Sequence, residues 1–223
     1  MKKLINLLLA SNSPRRREIL TFAGWTFNVA TADVDEGILP DEKPADYVLR
    51  LAAAKARTAA QLAQGEQIVI GSDTSVVDGD DILGKPVNAV EAVEMLRRLR
   101  GRTHQVYTAI AAYRIADGEL VTDLCISDVP MRDYSDPELE AYVQSGDPFD
   151  KAGGYAIQHP EFRPVKKFNG CFASVMGLPM CHVTRMFERL GISTSRDVPA
   201  VCQSTLNYEC VVFPAVLRGE QVG

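Results

Sequence analysis

The chain has 223 residues, of which 46% are apolar and 24% are charged, and its formal net charge at neutral pH is −5. This composition is ordinary for a globular protein with a hydrophobic core, and the length predicts one domain, with or without an appendage. Because neither half of the chain is strongly basic, sequence-independent binding of nucleic acid is excluded, since it needs a broad cationic face. A small anionic ligand needs only a local cluster of cationic residues.

The first residues, Met1-Lys2-Lys3 and the apolar run after them, imitate a secretory signal. The run is short, a basic turn follows it closely, and no convincing small-x-small cleavage site is present. No segment approaches the ~18 apolar residues of a membrane span. The five cysteines are odd in number and widely spaced, without a C-x-x-C pair, which is typical of reduced thiols and disfavours a zinc site. We therefore predict a cytosolic protein without a membrane partner.

The most informative segment lies near the start of the chain. An apolar, β-like run at residues 4–10 precedes Ser13, a good N-cap, and Pro14, a favoured first helical residue. A helix is therefore predicted that begins at Pro14, continues through Phe22 and stops at Gly24. Three arginines, residues 15–17, fall in its first turn, where the helix dipole disfavours cations. A bound anion such as phosphate would explain this placement. The alternative is a solvated basic turn that pairs with nearby carboxylates.

The rest of the chain alternates predicted strands with predicted helices. The further strands are residues 26–32, 67–71, 75–77, 82–83, 105–114 and 120–131. The further helices run from residue 44 or 45 to about 64, from the cap at residue 88 to 101, from 136 to 146 and from 178 to 190. A tail with a β-like segment at residues 208–213 follows residue 193. This alternation predicts an α/β fold, with a sheet covered by helices.

Lys55 is unusual because it lies on the apolar stripe of the predicted helix over residues 44–64. A lysine in that position either extends its ammonium to the edge of the apolar surface or points into a cleft. In a cleft it would act as a point charge for phosphate.

Asp73 directly follows a buried-looking strand, at the end of the strand where α/β sheets usually meet ligands. There it could hold a divalent metal or act as a general base, or it could be a turn aspartate that caps Ser75 or Val76. Glu36 belongs to an acidic loop that is either solvated or completes an oxygen site for Mg²⁺ or Mn²⁺ with Asp73.

Lys85 stands between Gly84 and Pro86, where a stiff backbone either aims its ammonium or forms a plain turn. Residues 78–81 are assigned to the tip of a hairpin. The chain contains no G-x-x-x-x-G-K-[ST] loop, no G-x-G-x-x-G after a strand and no G-x-S-x-G elbow. Without an obvious nucleophile, the economical chemistry is attack by an activated water on a phosphorus held by arginine and lysine.

Eight short segments between residue 4 and about residue 190 contain these candidates and their neighbours. They are Ser11-Asn12-Ser13-Pro14-Arg15-Arg16, Val34-Asp35-Glu36, Leu51-Ala52-Ala53-Ala54-Lys55-Ala56, Ser72-Asp73-Thr74-Ser75-Val76-Val77, Gly84-Lys85-Pro86, His104-Gln105-Val106-Tyr107-Thr108, Asp150-Lys151-Ala152-Gly153-Gly154-Tyr155-Ala156-Ile157-Gln158 and Val175-Met176-Gly177-Leu178-Pro179. In this order the segments closely resemble the Maf family, the septum-formation-inhibitor-like nucleoside triphosphate pyrophosphatases. Each segment alone is weak, and eight in order are a strong signal.

The resemblance implies a mixed central sheet flanked by helices, with a deep nucleotide cleft of the Maf and ITPase type, often in a homodimer. It implies hydrolysis of the α–β phosphoanhydride of a nucleoside triphosphate to the monophosphate and pyrophosphate, with Mg²⁺ or Mn²⁺. Such an enzyme would remove surplus or non-standard nucleotides.

The resemblance also implies the roles of individual residues. Asp73 matches the proton acceptor, and Glu36 and Asp73 would be the metal ligands. The residues that would bind the triphosphate and metal are Arg15, Arg16, Glu36, Lys55 and Lys85, with Ser13 added to the substrate-binding set. The residues that would shape base specificity are Arg15, Thr74 and Gln158. Threonine after the catalytic aspartate looks like the branch that acts on dTTP and UTP, whereas the 7-methyl-GTP branch usually has glutamine there.

The chain departs from the family pattern at three places. Asn12 replaces a common Gly or Ala, and Ala156 and His159 stand where glycines are common, which affects the expected loop shape and base preference. The tail from Ser193 is longer than the family core needs, so the chain is divided into a domain at residues 1–192 and a tail at residues 193–223. The tail would cover a dimer surface, pair as an extra strand or stay mobile.

Two rival functions stay open at this point. One is a nucleotide-binding regulator of cell division or septation, in which hydrolysis is incidental. The other is a pyrophosphatase for another base, such as 7-methyl-GTP.

Overall fold

A central mixed sheet organises the protein. The computed structural model describes residues 6–63, 65, 67–194 and 196–223. The strands are β1 (Asn6–Ala10), β2 (Phe27–Ala30), β3 (Gln67–Asp78), β4 (Asp81–Leu83), β5 (Thr103–Arg114) and β6 (Glu119–Pro130). Their order in the sheet is β2-β1-β3-β5-β6, and β4 pairs with β3 beside β1. β1 is parallel to β2 and β3, whereas β4, β5 and β6 join by antiparallel pairing.

Helices cover both faces of this sheet. They are α1 (Pro14–Phe22), α2 (Pro44–Ala60), α3 (Ala89–Leu99), α4 (Asp136–Gln144), α5 (Phe172–Val175), α6 (Met180–Arg189), α7 (Val198–Leu206) and α8 (Phe213–Leu217). The long helix α2 packs alone on one face, over Leu8, Val69 and Ala109. Residues of α1, α3, α4, α5 and α6 share the larger core on the other face. The predicted α/β class, a mixed sheet flanked by helices, is confirmed. None of the helices in the described ranges is long and apolar enough to cross a membrane.

The predicted turn from β1 into α1 is confirmed. Ser13 is the N-cap, and its hydroxyl accepts a hydrogen bond from the amide of Arg16, while Pro14 opens the helix. Residues 4 and 5, which the sequence also predicted as strand, lie outside the described residues. Local signals therefore place the arginine-rich first turn directly after the end of β1.

Gly71 lets α2 lie unusually close to the sheet. A Cβ atom at this position would stand 2.1 Å from the carbonyl oxygen of Ala52 and 2.8 Å from the amide nitrogen of Ala56. No side chain fits in that space, so the backbones of β3 and α2 meet directly.

The prediction that a strand ends before Asp73 is wrong. β3 is one strand of 12 residues, and β5 pairs with it without interruption from Ile68 to Val77. The polar run of residues 72–74 continues the strand because tertiary partners, described below, satisfy its side chains. Asp73 therefore lies in the middle of a strand and does not cap a turn.

The predicted β-like segment at residues 208–213 is also wrong. The tail forms α7, capped by the side chain of Asp197, and α8, which has Pro214 in its first turn. α7 ends at Asn207 in the left-handed conformation.

The described part of the tail packs against the core. The buried guanidinium of Arg185 pairs with Asp123 at 2.5 Å and donates to the carbonyl oxygens of Val216 and Glu220. The five cysteines are free thiols, in line with the predicted reduced state.

Candidate active site

The cleft opens at a gap in the sheet. The β1 ladder on β3 runs to Leu9 opposite Ile70, and the β4 ladder begins at Leu83 opposite Val76. Between the two ladders, no strand of the described ranges pairs with that edge of β3. A cleft of about 650 Å³ fills the gap. Because neighbouring residues of a strand point to opposite faces, the gap exposes side chains from both faces of β3 to one cavity.

The structure brings all of the residues predicted for the site to this cleft. They are Ser13, Arg15, Arg16, Glu36, Lys55, Asp73, Thr74, Lys85 and Gln158. They come from the β1–α1 turn, the acidic loop, α2, β3, the segment after β4 and the glycine-rich loop. Their assignment as catalytic, substrate-binding or metal-binding residues stays a prediction.

Lys55 joins two carboxylates on the α2 side of the sheet. Its ammonium lies 2.6 Å from Oδ1 of Asp73 and 2.7 Å from Oε1 of Glu36. The Lys55 and Asp73 side chains are only 12% and 10% exposed, so the lysine points into the cleft rather than to the surface. Burial tends to raise the pKa of Glu36, but the hydrogen bond and charge of Lys55, with Lys85 and Arg16 further away, outweigh it and lower that pKa.

Tyr47 holds the acidic loop against α2. Its hydroxyl donates to the carbonyl oxygen of Glu36 at 2.9 Å. Burial, together with the nearby charges of Asp73 and Glu36, raises the pKa of Tyr47. Sequence reasoning missed this residue, although its place about two helical turns before Lys55 on the same stripe was a usable signal.

Arg16 is anchored on the opposite face of the sheet. Its Nε donates to the carbonyl oxygen of Gly177 at 2.9 Å, and its Nη2 donates to the hydroxyl of Thr74 at 3.1 Å. Its Nη1 lies 3.4 Å from the hydroxyl of Ser11. Burial is the main cause that lowers the pKa of this guanidinium. Arg16 therefore ties β1, β3 and the end of α5 together around the cleft.

Arg15 pairs across the cleft with the glycine-rich loop. Its Nη1 lies 2.8 Å from Oδ2 of Asp150, and Lys151 binds the other carboxylate oxygen of Asp150 at 2.5 Å. The basic turn thus has a carboxylate partner, but the partner comes from a distant loop. Asp150 and Lys151 belong to a segment that carries the family resemblance, but the sequence predicted no role for them.

Thr74 contacts a second threonine that sequence reasoning also left without a role. The hydroxyls of Thr74 and Thr108 are 3.0 Å apart, and Thr108 lies directly opposite Thr74 in the β3–β5 ladder. The register that pairs them was the missing information, because the separate sequence segments do not contain it.

Glu36 and Asp73 fit a hard divalent cation only as part of a larger ligand set. Among the described residues, no three His, Cys, Asp or Glu side chains form a group that could hold a metal ion. The two carboxylates share one ammonium and each has a second oxygen atom. Mg²⁺ is typically held by one or two carboxylates and completed by phosphate oxygens and water. The two residues fit that pattern.

The fold and the site together define a class of mixed-sheet α/β protein with a cleft, lined by cationic and acidic side chains, at a gap in the sheet. The family model of the Maf-like proteins matches residues 6–190. The chain therefore belongs to the Maf family.

Relatives of nearly equal length support this assignment. A dTTP/UTP pyrophosphatase of Hahella chejuensis is 44% identical over 194 residues, which cover 86% of this chain and 95% of that one. A dTTP/UTP pyrophosphatase of Geotalea uraniireducens is 43% identical over 191 residues, covering 86% and 98%. The structure of the Staphylococcus aureus Ham1 protein is 16% identical, covers 91% of this chain and 98% of that chain, and has a TM-score of 0.41, which is too low to support an assignment.

Proposed function

We propose that this protein is a nucleoside triphosphate pyrophosphatase that acts on dTTP and UTP. The observation that carries the proposal is the buried contact of Lys55 with Asp73, extended by Lys55 to the exposed Glu36, in a cleft rimmed by further cationic residues. Similarity to dTTP/UTP pyrophosphatases over most of the chain supports the choice of substrate.

The proposed reaction is hydrolysis at the α-phosphorus. A water molecule attacks that phosphorus and gives its proton to Asp73, and the bond to the oxygen that bridges the α- and β-phosphorus breaks. The products are a nucleoside monophosphate and pyrophosphate. Lys55 holds Oδ1 of Asp73, which leaves Oδ2 without a hydrogen bond from the described residues and therefore available to accept the proton.

The cationic residues would neutralise the charge that builds up on the phosphate oxygens. Lys85 lines the cleft near Glu36, and Arg15 can exchange its partner Asp150 for phosphate. Arg16 has three protein partners and would act mainly by shaping the cleft. Thr74, Gln158 and Arg15 are proposed to meet the base.

Glu36 and Asp73 are proposed to hold Mg²⁺ or Mn²⁺ when substrate is present. When bound, the ion would supply positive charge to the phosphate oxygens and lower the barrier to attack. Because both carboxylates already bind the ammonium of Lys55, the ion would have to bind them beside that ammonium. We therefore expect the ion to bind together with the substrate, whose phosphate oxygens would complete its ligand set.

The test is release of pyrophosphate from dTTP, UTP, CTP, GTP, 7-methyl-GTP and ATP, each with Mg²⁺ or Mn²⁺. The proposal expects dTTP and UTP to give the highest kcat/KM. If another base leads, the reaction stands and the proposed substrate is wrong. If nucleotides bind but release no pyrophosphate, the enzyme proposal fails in favour of a nucleotide-binding regulator.

Three further predictions belong with this proposal. They are a homodimer, which the family resemblance implies, a cytoplasmic location, and a division of the chain into a domain at residues 1–192 and a tail at residues 193–223. Sedimentation of the full chain with and without nucleotide tests the first of them.

A further inference from the structure

We propose that Lys151 is a positioning residue that keeps the Asp150 carboxylate in place while Arg15 passes from that carboxylate to a phosphate group of the nucleotide. In the free protein Asp150 holds Arg15 beside the cleft. In the complex Lys151 would hold the carboxylate that Arg15 has left. This inference rests on the proposed function only in requiring that the cleft binds the phosphates of a nucleotide, and it does not require hydrolysis.

Lys151 lines the cleft, but all of its donors are used within the protein. An ammonium has three N–H groups. Its nitrogen lies 2.5 Å from Oδ1 of Asp150, 2.9 Å from Oδ1 of Asp147 and 2.6 Å from the carbonyl oxygen of Asp147. The side chain is only 9% exposed. Lys151 is therefore a fixed internal cation and not a further ligand for phosphate.

Asp147 is in turn anchored in the hydrophobic core by Tyr142. The buried Tyr142 donates its hydroxyl proton to Oδ2 of Asp147 at 2.7 Å, and its ring stacks on Phe162 with the ring centroids 4.2 Å apart. The amide of Ala156, in the glycine-rich loop, donates to the same hydroxyl at 3.1 Å. The position of Lys151 is thus set by a chain of hydrogen bonds that reaches into the core and does not involve Arg15.

Arg15, by contrast, is held through Asp150 alone within the described part of the chain. Its Nη1 lies 2.8 Å from Oδ2 of Asp150, and its Nη2 lies 3.4 Å from the carbonyl oxygen of the same residue. An ion pair between partly exposed side chains is weak, so this guanidinium can exchange its partner for phosphate. Arg16 has partners in three separate segments and would stay in place.

The carboxylate of Asp150 would repel the phosphates once Arg15 has left it. Burial tends to raise the pKa of Asp150, but the hydrogen bonds from Lys151 and Arg15 outweigh it and lower that pKa, so the group is ionised at neutral pH. Lys151 stays on Oδ1 and neutralises part of this charge. Without Lys151, Asp147 and Asp150 would be two neighbouring carboxylates with no cation between them.

The experiment measures the Kd of α,β-imido-UTP, an analogue that the proposed reaction cannot cleave, by titration calorimetry with Mg²⁺. Lys151→Met removes the cation, and Asp150→Asn removes the carboxylate but keeps an oxygen for Lys151. The double variant has the same summed charge as the wild-type group of Lys151, Asp147 and Asp150. Lys166→Met is the matched control, because Lys166 is exposed and does not line the cleft.

The two single variants should change the affinity in opposite directions. We expect Lys151→Met to raise Kd about 10-fold, because an unpaired carboxylate is left beside the bound phosphates. Asp150→Asn should lower Kd about 2- to 5-fold, since the phosphate then competes with no carboxylate for Arg15 and the lost ion pair is weak. The double variant should return to within about 3-fold of the wild-type Kd, because the two changes act on one network. Lys166→Met should leave Kd unchanged.

The double variant separates the positioning role from a merely structural one. If Lys151→Met only loosens the loop through Asp147, the double variant binds as weakly as Lys151→Met, and the inference is overturned. An unchanged Kd in Lys151→Met overturns it as well. Weaker binding in Asp150→Asn also overturns it, because Asp150 would then hold Arg15 in its binding position. That variant decides the point even if Lys151→Met fails to fold.

Release of pyrophosphate from UTP is a separate measurement, so the two proposals can fail independently. Binding of the analogue with recovery in the double variant, but without turnover of any nucleotide, would refute the proposed hydrolysis and support this inference. Turnover of UTP without that recovery would refute this inference alone. Absence of binding of the analogue to the wild-type protein would overturn the role of Lys151.

Discussion

The two faces of β3 at the gap in the sheet carry different kinds of polar group. On the α2 face, Asp73 shares the ammonium of Lys55 with Glu36, and all three groups are charged. On the opposite face, the hydroxyl of Thr74 accepts hydrogen bonds from Arg16 and from Thr108. Successive residues of one strand thus serve one cavity in two ways.

The difference shows how one strand can present charged groups for chemistry on one face and groups for ligand recognition on the other. Inside an intact sheet, side chains on opposite faces are separated by neighbouring strands. Because β1 ends and β4 begins further along, the edge of β3 is open between them, and both faces reach the same cleft. The face with Asp73 carries the carboxylates and Lys55 and suits chemistry in which charge builds up, whereas the face with Thr74 has hydroxyl groups and apolar walls around Arg16 and suits recognition of a base.

The largest expected effect is loss of turnover in Asp73→Asn. An amide cannot accept the proton of water, so kcat should fall about 10²- to 10⁴-fold, while KM changes little. Kinetics with UTP and thermal unfolding measure the two effects, and the fold should persist because Lys55 keeps Glu36 as a partner. Retained activity in this variant would refute the assignment of the charged face to chemistry.

The next effect is a shift of the pH profile in Lys55→Met. Removing the ammonium takes away the hydrogen bond and charge that lower the pKa of Glu36, so that pKa rises and protonation begins at higher pH. The acid limb of kcat/KM should move to higher pH, and the maximum should fall roughly 100-fold. Arg57→Met, an exposed cation on the same helix, is the control and should keep the wild-type profile.

A buried histidine on the Thr74 face should make the free energy of unfolding depend on pH in the acid range. Burial lowers the pKa of His104, which contacts the hydroxyl of Tyr155 on this face, to about 4. The unfolded chain binds the proton near pH 6.5, so stability is complete above that pH and is lost as pH falls toward 4, by up to about 3 kcal/mol. Urea unfolding from pH 7 to pH 4 measures the loss. His104→Gln should flatten this pH dependence, and an equal slope in the variant would contradict the assignment.

The smallest expected effect is that of Thr74→Val. Loss of one hydrogen bond to the base should lower kcat/KM for UTP about 10-fold, mainly through KM. Steady-state kinetics decide the point. A fall in kcat as large as that of Asp73→Asn would break the distinction between the two faces.

Elements that are determined by interactions within a few residues were predicted correctly from the sequence. The cap at Ser13 and the helix after it were predicted, because capping and the fixed backbone of proline act within a few residues. The same applies to the hairpin between β3 and β4, where Gly79 takes the positive φ that the turn requires.

Features that depend on distant partners could not be predicted locally. Residues 72–74 look like the end of a strand, but Gly177, Lys55 and Arg16 provide hydrogen-bond partners for their side chains and the strand continues. Lys55, Asp73 and Glu36 were candidates from local sequence patterns, Gln158 came from the family resemblance, and the gap that brings these residues together depends on the sheet register. Thr108 and Asp150 were missed because their contacts also depend on distant partners, whereas Tyr47 was missed although it lies on the apolar stripe of α2.

The absence of a side chain at Gly71 fixes the distance between α2 and β3 beside the cleft. The contact that excludes a Cβ atom there also sets how far the ammonium of Lys55 must reach from α2 to Asp73 on β3. A single methyl group at residue 71 would push the helix outward and lengthen that reach, with no change to any charged residue. The spacing of the charged groups therefore depends on the absence of a Cβ atom at residue 71, two residues before Asp73.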